Sequence, residues 1–251
     1  MTTGTMGDAG FYGKLPHLGD FVNRRLPTEL IDPWDQWLQE SLAASRSQLG
    51  DTWLDRYLSS PLWRFVLSPG LAGQAGWAGV LMPSTDRVGR YFPLTLASPL
   101  PVGTNPYVVL RATDWFERVE TLALSVLEDP FSLETFDGQV LALGAPLAAG
   151  PAPDPQPPGA RGRPNTWHLS TPTGADLAGA CTTLLAQALE QVFLAYSLWW
   201  TADGAPQVAP SLLACQGLPP PDGFGALLCG DWAGSGWRLL GGTPARSGPG
   251  S

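Results

Sequence analysis

Unbroken apolar runs alternate along this chain with stretches whose apolar positions recur every three to four residues, and the switches between the two patterns outline its elements. The run from Trp77 to Met82 reads as a buried strand, the run from Tyr91 to Leu96 as another, and SPLWRFVLSPG at 60–70 has a strand-like centre. Strands are therefore expected at 62–68, 76–82 and 91–98, lying side by side. Ahead of them, Trp34, Trp37, Leu38, Leu42 and Leu49 share one helical face. Asp32 before Pro33 predicts a cap followed by a first-position proline, and Gly50 predicts the stop. A second short helix is expected from 51 to 58 with Trp53, Leu54, Tyr57 and Leu58 inward. Helical spacing returns at Trp115, Phe116, Val119, Leu122, Ala123, Val126 and Leu127, where Asp114 and Glu117 have capping-box spacing.

A long helix is predicted over 176–194, with Leu177, Cys181, Leu184, Leu185, Ala188, Leu189 and Val192 on its buried side. NTWHLS before it and YSLWWT at 196–201 after it read as strands. Successive strand residues point to opposite faces, so Trp199 and Trp200 cannot share one core; a sheet covered on both sides accommodates both. The interleaving of helices and strands predicts an α/β fold, a three-layer α/β/α sandwich with one central sheet and helices on both faces. Residues 1–143 form its first region, with 10–27 in short extended pieces joined by turns. The segment 144–164 holds seven prolines and four glycines in 21 positions, the composition of a linker or surface loop. Residues 165–240 complete the same globular domain, with Trp232 and Trp237 as isolated anchors, and 241–251 read as a disordered tail.

With 44% hydrophobic residues in 251, the chain can bury a substantial core, and only 14% charged residues remain for specific work. The net charge of −8 is uneven: the first 100 residues carry 8 basic and 9 acidic side chains, the rest 6 and 13. That balance argues against nucleic acid, which needs a basic face. Cys181, Cys215 and Cys229 lie far apart among apolar residues and read as buried thiols in a reducing compartment. A charged start followed by an apolar core is missing, and no uninterrupted apolar segment approaches the roughly 18–20 residues of a bilayer span. A cytoplasmic protein with no direct membrane insertion is expected.

Catalytic patterns are weak. Gly13-Lys14 lacks the glycine five positions earlier and the following Ser or Thr of a phosphate-binding loop, since Asp8 and Leu15 stand there. His17 and His168 have no second ligand at metal spacing, and no nucleophile elbow is present. The pairs Asp32/Asp35 and Glu117/Glu120 suit helix starts. The chain therefore reads as a non-enzyme without cofactor. What stands out is MPSTDRVGRYFPL at 82–94, where Asp86, Arg87 and Arg90 interrupt two core strands. These charges form either a buried ion-pair network that fixes the loop against Asp20 or the sheet edge, or an exposed recognition loop, and paired arginines could also take up a phosphate group.

GFYGKLPHLGDFVNRRLP, WDQWLQESL from Trp34, SPLWRFVLSPG, GVLMPSTDRVGRYFPL from Gly79 and, more faintly, YSLWWT resemble the signature segments of the TagF (ImpM) family of type VI secretion-associated proteins. Dense matching covers residues 9–99. The resemblance implies a cytoplasmic, non-enzymatic regulator that represses the bacterial type VI secretion system after translation by binding a forkhead-associated (Fha) scaffold protein, in a compact three-layer α/β sandwich. The alternative is a structural or assembly component of the cytoplasmic base of the machine. Matching motif residues are Gly13, Lys14, Leu15, Pro16, Gly19, Asp20, Phe21, Asp86, Arg87, Gly89, Arg90, Phe92 and Pro93. Lys14, Asp20, Asp86, Arg87 and Arg90 are the candidate partner-binding residues.

Overall fold

A computed structural model describes residues 7–146 and 177–240. The bulk of the Pro-rich stretch, the strand expected at NTWHLS and the tail from 241 lie outside the described residues. Among the described residues, seven strands form one antiparallel sheet: β1 (Gly10–Gly13), β2 (Val22–Arg24), β3 (Trp63–Leu67), β4 (Trp77–Met82), β5 (Leu94–Pro99), β6 (Tyr196–Trp200) and β7 (Leu212–Gln216). Their order is β2-β1-β5-β4-β3-β6-β7, so the strands after residue 195 extend the sheet begun by the first hundred residues. The three central strands expected from the unbroken apolar runs are present, and β3, β4 and β5 are buried along their whole length.

Both faces of these strands are covered, which is why their sequences do not alternate between apolar and polar. Trp63, Phe65, Leu67, Trp77, Leu81 and Trp199 pack on one side with Leu30, Trp34, Trp37, Leu38 and Leu42 of α1 (Thr28–Leu49). Trp53 and Tyr57 of α2 (Trp53–Leu58) join that cluster. Val66, Ala78, Val80, Leu94, Leu96 and Leu198 pack on the other side. Their partners come from α3 (Pro106–Val109), α4 (Thr113–Leu124), α5 (Leu133–Ala142) and α6 (Leu177–Phe193). Trp199 and Trp200 separate between the two clusters as the strand period requires. Buried indoles keep their N–H groups paired: Trp34 donates to Thr95 Oγ1 at 2.9 Å, Trp37 to the Pro219 carbonyl at 2.7 Å and Trp199 to Ser197 Oγ at 2.9 Å.

Local expectations fail where context overrides them. α1 begins at Thr28 after Pro27, not at Asp32, and Pro33 sits inside it. Leu30 and Trp34 bury the same face across that proline, and one missing amide does not end the helix. Asp114 does not cap α4; the chain enters from a turn in which Trp115 and Phe116 both donate to the Ala112 carbonyl, and no side-chain cap forms. Leu127 is exposed because a 3-10 turn at Ser125–Leu127 breaks the period, and six-residue α2 leaves Leu54 and Leu58 in solvent. On α6, Leu184, Leu185 and Val192 are exposed, whereas Ala186, Leu189 and Phe193 face the sheet. Its sequence is apolar nearly all round, so period alone could not choose the side. Trp232 and Trp237 are not isolated; they meet edge to face at 5.5 Å beside α7 (Gly225–Cys229).

Candidate functional site

The loop between β4 and β5 is built around one carboxylate. Asp86 opens a turn closed by the Gly89 amide donating to its carbonyl at 3.0 Å, and Gly89 holds φ 82°, which favours glycine. The Asp86 side chain then accepts from the amides of Val88 at 3.0 Å and Arg90 at 2.9 Å through Oδ1. Its other oxygen accepts from Lys14 Nζ at 2.9 Å and Arg90 Nε at 2.6 Å. Asp86 is 2% exposed and Lys14 5% exposed. Burial alone would raise the Asp86 carboxyl, but the bonds from the Arg90 amide, Lys14, the Arg90 guanidinium and the Val88 amide outweigh it and hold the group well below the ordinary aspartate range.

This hub joins two loops. The Arg87 amide donates to the Leu18 carbonyl at 2.9 Å, and the Arg90 guanidinium also donates to the Gly19 carbonyl. Ser84 Oγ donates to the Lys14 carbonyl at 2.8 Å, and Tyr57 Oη both donates to and accepts from the Ser84 backbone at 2.9 Å. Gly13, at φ 134°, lets β1 lie against β5; a Cβ there would stand 2.1 Å from the Pro93 carbonyl oxygen. That close approach carries Lys14 under the 86–90 turn. His17 fastens the other end of its loop by stacking on Phe131 at 4.6 Å and hydrogen-bonding the Val126 carbonyl.

The five charged candidates divide. Lys14, Asp86 and Arg90 form one ion-paired cluster, with Arg90 still 58% exposed along its side chain. Arg87 and Asp20 are exposed, and neither side chain has an ion-pair or hydrogen-bond partner among the described residues. Asp20 is thus not the counter-charge of the arginines; Asp86 serves Arg90, and Arg87 is left outside the cluster. Two apolar residues that the charge pattern did not single out share this surface. Phe21 is 48% exposed, with the Lys14 ammonium 5.1 Å from its ring centre, Tyr12 stacked at 5.9 Å and Phe92 edge-on at 4.7 Å. Val88 at the turn tip is 66% exposed. The cation beside Phe21 is Lys14, seven positions earlier, so no local pattern in the sequence signals this pairing.

The sequence model of the TagF N-terminal domain, a type VI secretion system-associated domain, matches residues 10–143. The chain belongs to the TagF family. A solved structure, PA0076 from Pseudomonas aeruginosa PAO1, has 40% sequence identity to this TagF protein, covering 94% of this chain and 100% of that one, with a TM-score of 0.76. None of the curated proteins matches. As a TagF protein the chain is type VI secretion-associated, and the matched span contains both loops joined by Asp86. No helix among the described residues is long and apolar enough to cross a membrane.

Proposed function

We propose that this TagF protein is a cytoplasmic, non-enzymatic repressor of the type VI secretion system that acts by binding the system's forkhead-associated scaffold. The observation carrying this reading is the exposed, cation-bearing loop inside the matched domain: Arg87 projects without an internal partner from a turn fixed by its neighbour Asp86. A charge left unpaired on a rigid turn suits recognition better than stability. A groove of about 740 Å³ along β7 is lined mainly by Leu185, Leu189, Leu212, Trp232 and Leu240, an apolar lining that supports a binding role. The helices packed on each sheet face support the three-layer sandwich reading.

Purified protein should retain the cognate forkhead-associated scaffold in a pull-down, and deletion of its gene should raise effector secretion. Absence of a complex, together with abolished secretion on deletion, would refute the repressor and favour an assembly component.

A further inference from the structure

The geometry points to one docking surface, formed by Phe21, Arg87, Val88 and the outer side of Arg90, that takes an acidic protein segment carrying an apolar side chain. This inference rests on the scaffold-binding reading and assigns the chemistry of its contact. Four observations converge. The half-open Phe21 ring is held on its inner side by Tyr12, Phe92 and Lys14, leaving an aromatic anchor already ordered before binding. Val88 adds an exposed apolar contact at the tip of the turn.

The outward-facing charge is mainly cationic. Asp86 is consumed inside the fold by Lys14 and Arg90, and the half-buried Asp35 is engaged by the Tyr12 hydroxyl, which leaves Arg87 and the outer side of Arg90 exposed beside Asp20. A cationic, aromatic patch on a chain of net charge −8 is matched by carboxylates rather than by a second copy of the same acidic molecule. Finally, the patch is stiff. Asp86 binds both the Val88 and Arg90 amides, and Leu18 and Gly19 accept from Arg87 and Arg90, so the two loops present their side chains together. Arginine and aromatic residues in such a setting are favoured as interface anchors.

The experiment measures scaffold affinity by calorimetry for the parent, Phe21→Ala, Arg87→Glu and the surface control Val102→Ala beyond the opposite end of β5, each confirmed folded by circular dichroism, at low and high salt. Phe21→Ala and Arg87→Glu should each weaken binding by about tenfold or more, Val102→Ala should not, and parent affinity should fall as salt rises. Arg87→Lys, which keeps the charge, should recover part of the loss and guards against a folding artefact of the reversal. Parent-like affinity in folded Phe21→Ala and Arg87→Glu would overturn this surface while leaving scaffold binding intact. Loss of parent binding after phosphatase treatment of the scaffold would overturn the carboxylate chemistry in favour of a phosphorylated segment. No binding by the parent itself would overturn both the surface and the function it rests on.

Discussion

Replacing Arg64 tests how the sheet is fastened to α4. Arg64 lies on β3, and its Nε and Nη2 donate to the two carboxylate oxygens of Glu120 at 2.7 Å each, with the guanidinium carbon 5.5 Å from the Phe116 ring centre. The arginine side chain is 6% exposed and the glutamate 19%. Arg64→Met keeps the apolar stem but strands the Glu120 carboxylate. Breaking a buried pair costs about 3–5 kcal/mol. Glu120 retains some contact with water, so a loss of about 2–4 kcal/mol is expected. At 2–4 °C per kcal/mol for a domain of this size, that is roughly 4–16 °C in Tm. Urea unfolding followed by circular dichroism, with unchanged slope, provides the free energy. The double variant Arg64→Met/Glu120→Leu should regain most of the loss, because two apolar groups leave no charge behind. A single-variant loss below about 1 kcal/mol, or a double variant less stable than the single, would refute a desolvated ion pair at this position.

Three further outcomes are expected. Because the Asp86 carboxyl is held below its ordinary value of 3.8, the unfolded chain binds this proton more readily than the folded one. The stability it contributes is therefore complete above that ordinary value and lost as pH falls through the depressed one, and Asp86→Asn should flatten the fall of Tm below about pH 4; an unchanged slope would contradict the hub. Gly13→Ala forces a side chain into positive φ against the Pro93 carbonyl and should cost at least about 1–3 kcal/mol in chemical unfolding; a neutral result would disprove the close packing of β1 on β5. Burial pushes the Cys215 thiol up to about 12, partly offset by a hydrogen bond from Ser197, so in a Cys181→Ser/Cys229→Ser protein it should resist a thiol reagent at mildly alkaline pH until urea exposes it; rapid labelling of the folded protein would show the strand to be open.

The strands were readable because burial on both faces removes the polar positions that would otherwise blur them, as Trp77 to Met82 illustrates. The helix ends and faces were less so. Pro33 looked like a first residue because the rule concerns only the local chain, while the Leu30 and Trp34 contacts that extend α1 backwards come from the sheet. β7 carries little signal because it is an edge strand whose alternating LLACQ offers only two buried side chains. On α6 the apolar residues outnumber the positions the sheet can cover, so the period places Leu185 and Val192 in a core that Ala186 and Phe193 reach instead.

At the site, charge density marked the loop that folds around Asp86 but could not divide its labour. Neighbouring residues in a turn point different ways, so Asp86 is drawn inward by four donors while Arg87, one peptide later, keeps only its backbone bond to Leu18. Lys14 lies 72 positions before Asp86 and meets it only because β1 runs beside β5, a pairing that no local pattern announces. The consequence is a separation of roles that mutation can expose. Changing Asp86 should disorder both loops and thereby affect stability and binding together. Changing Arg87 should leave the hub intact and alter binding alone. A protein that lost binding and stability in equal measure on Arg87→Glu would show that the arginine belongs to the hub, and the split between an inward carboxylate and an outward guanidinium would have to be abandoned.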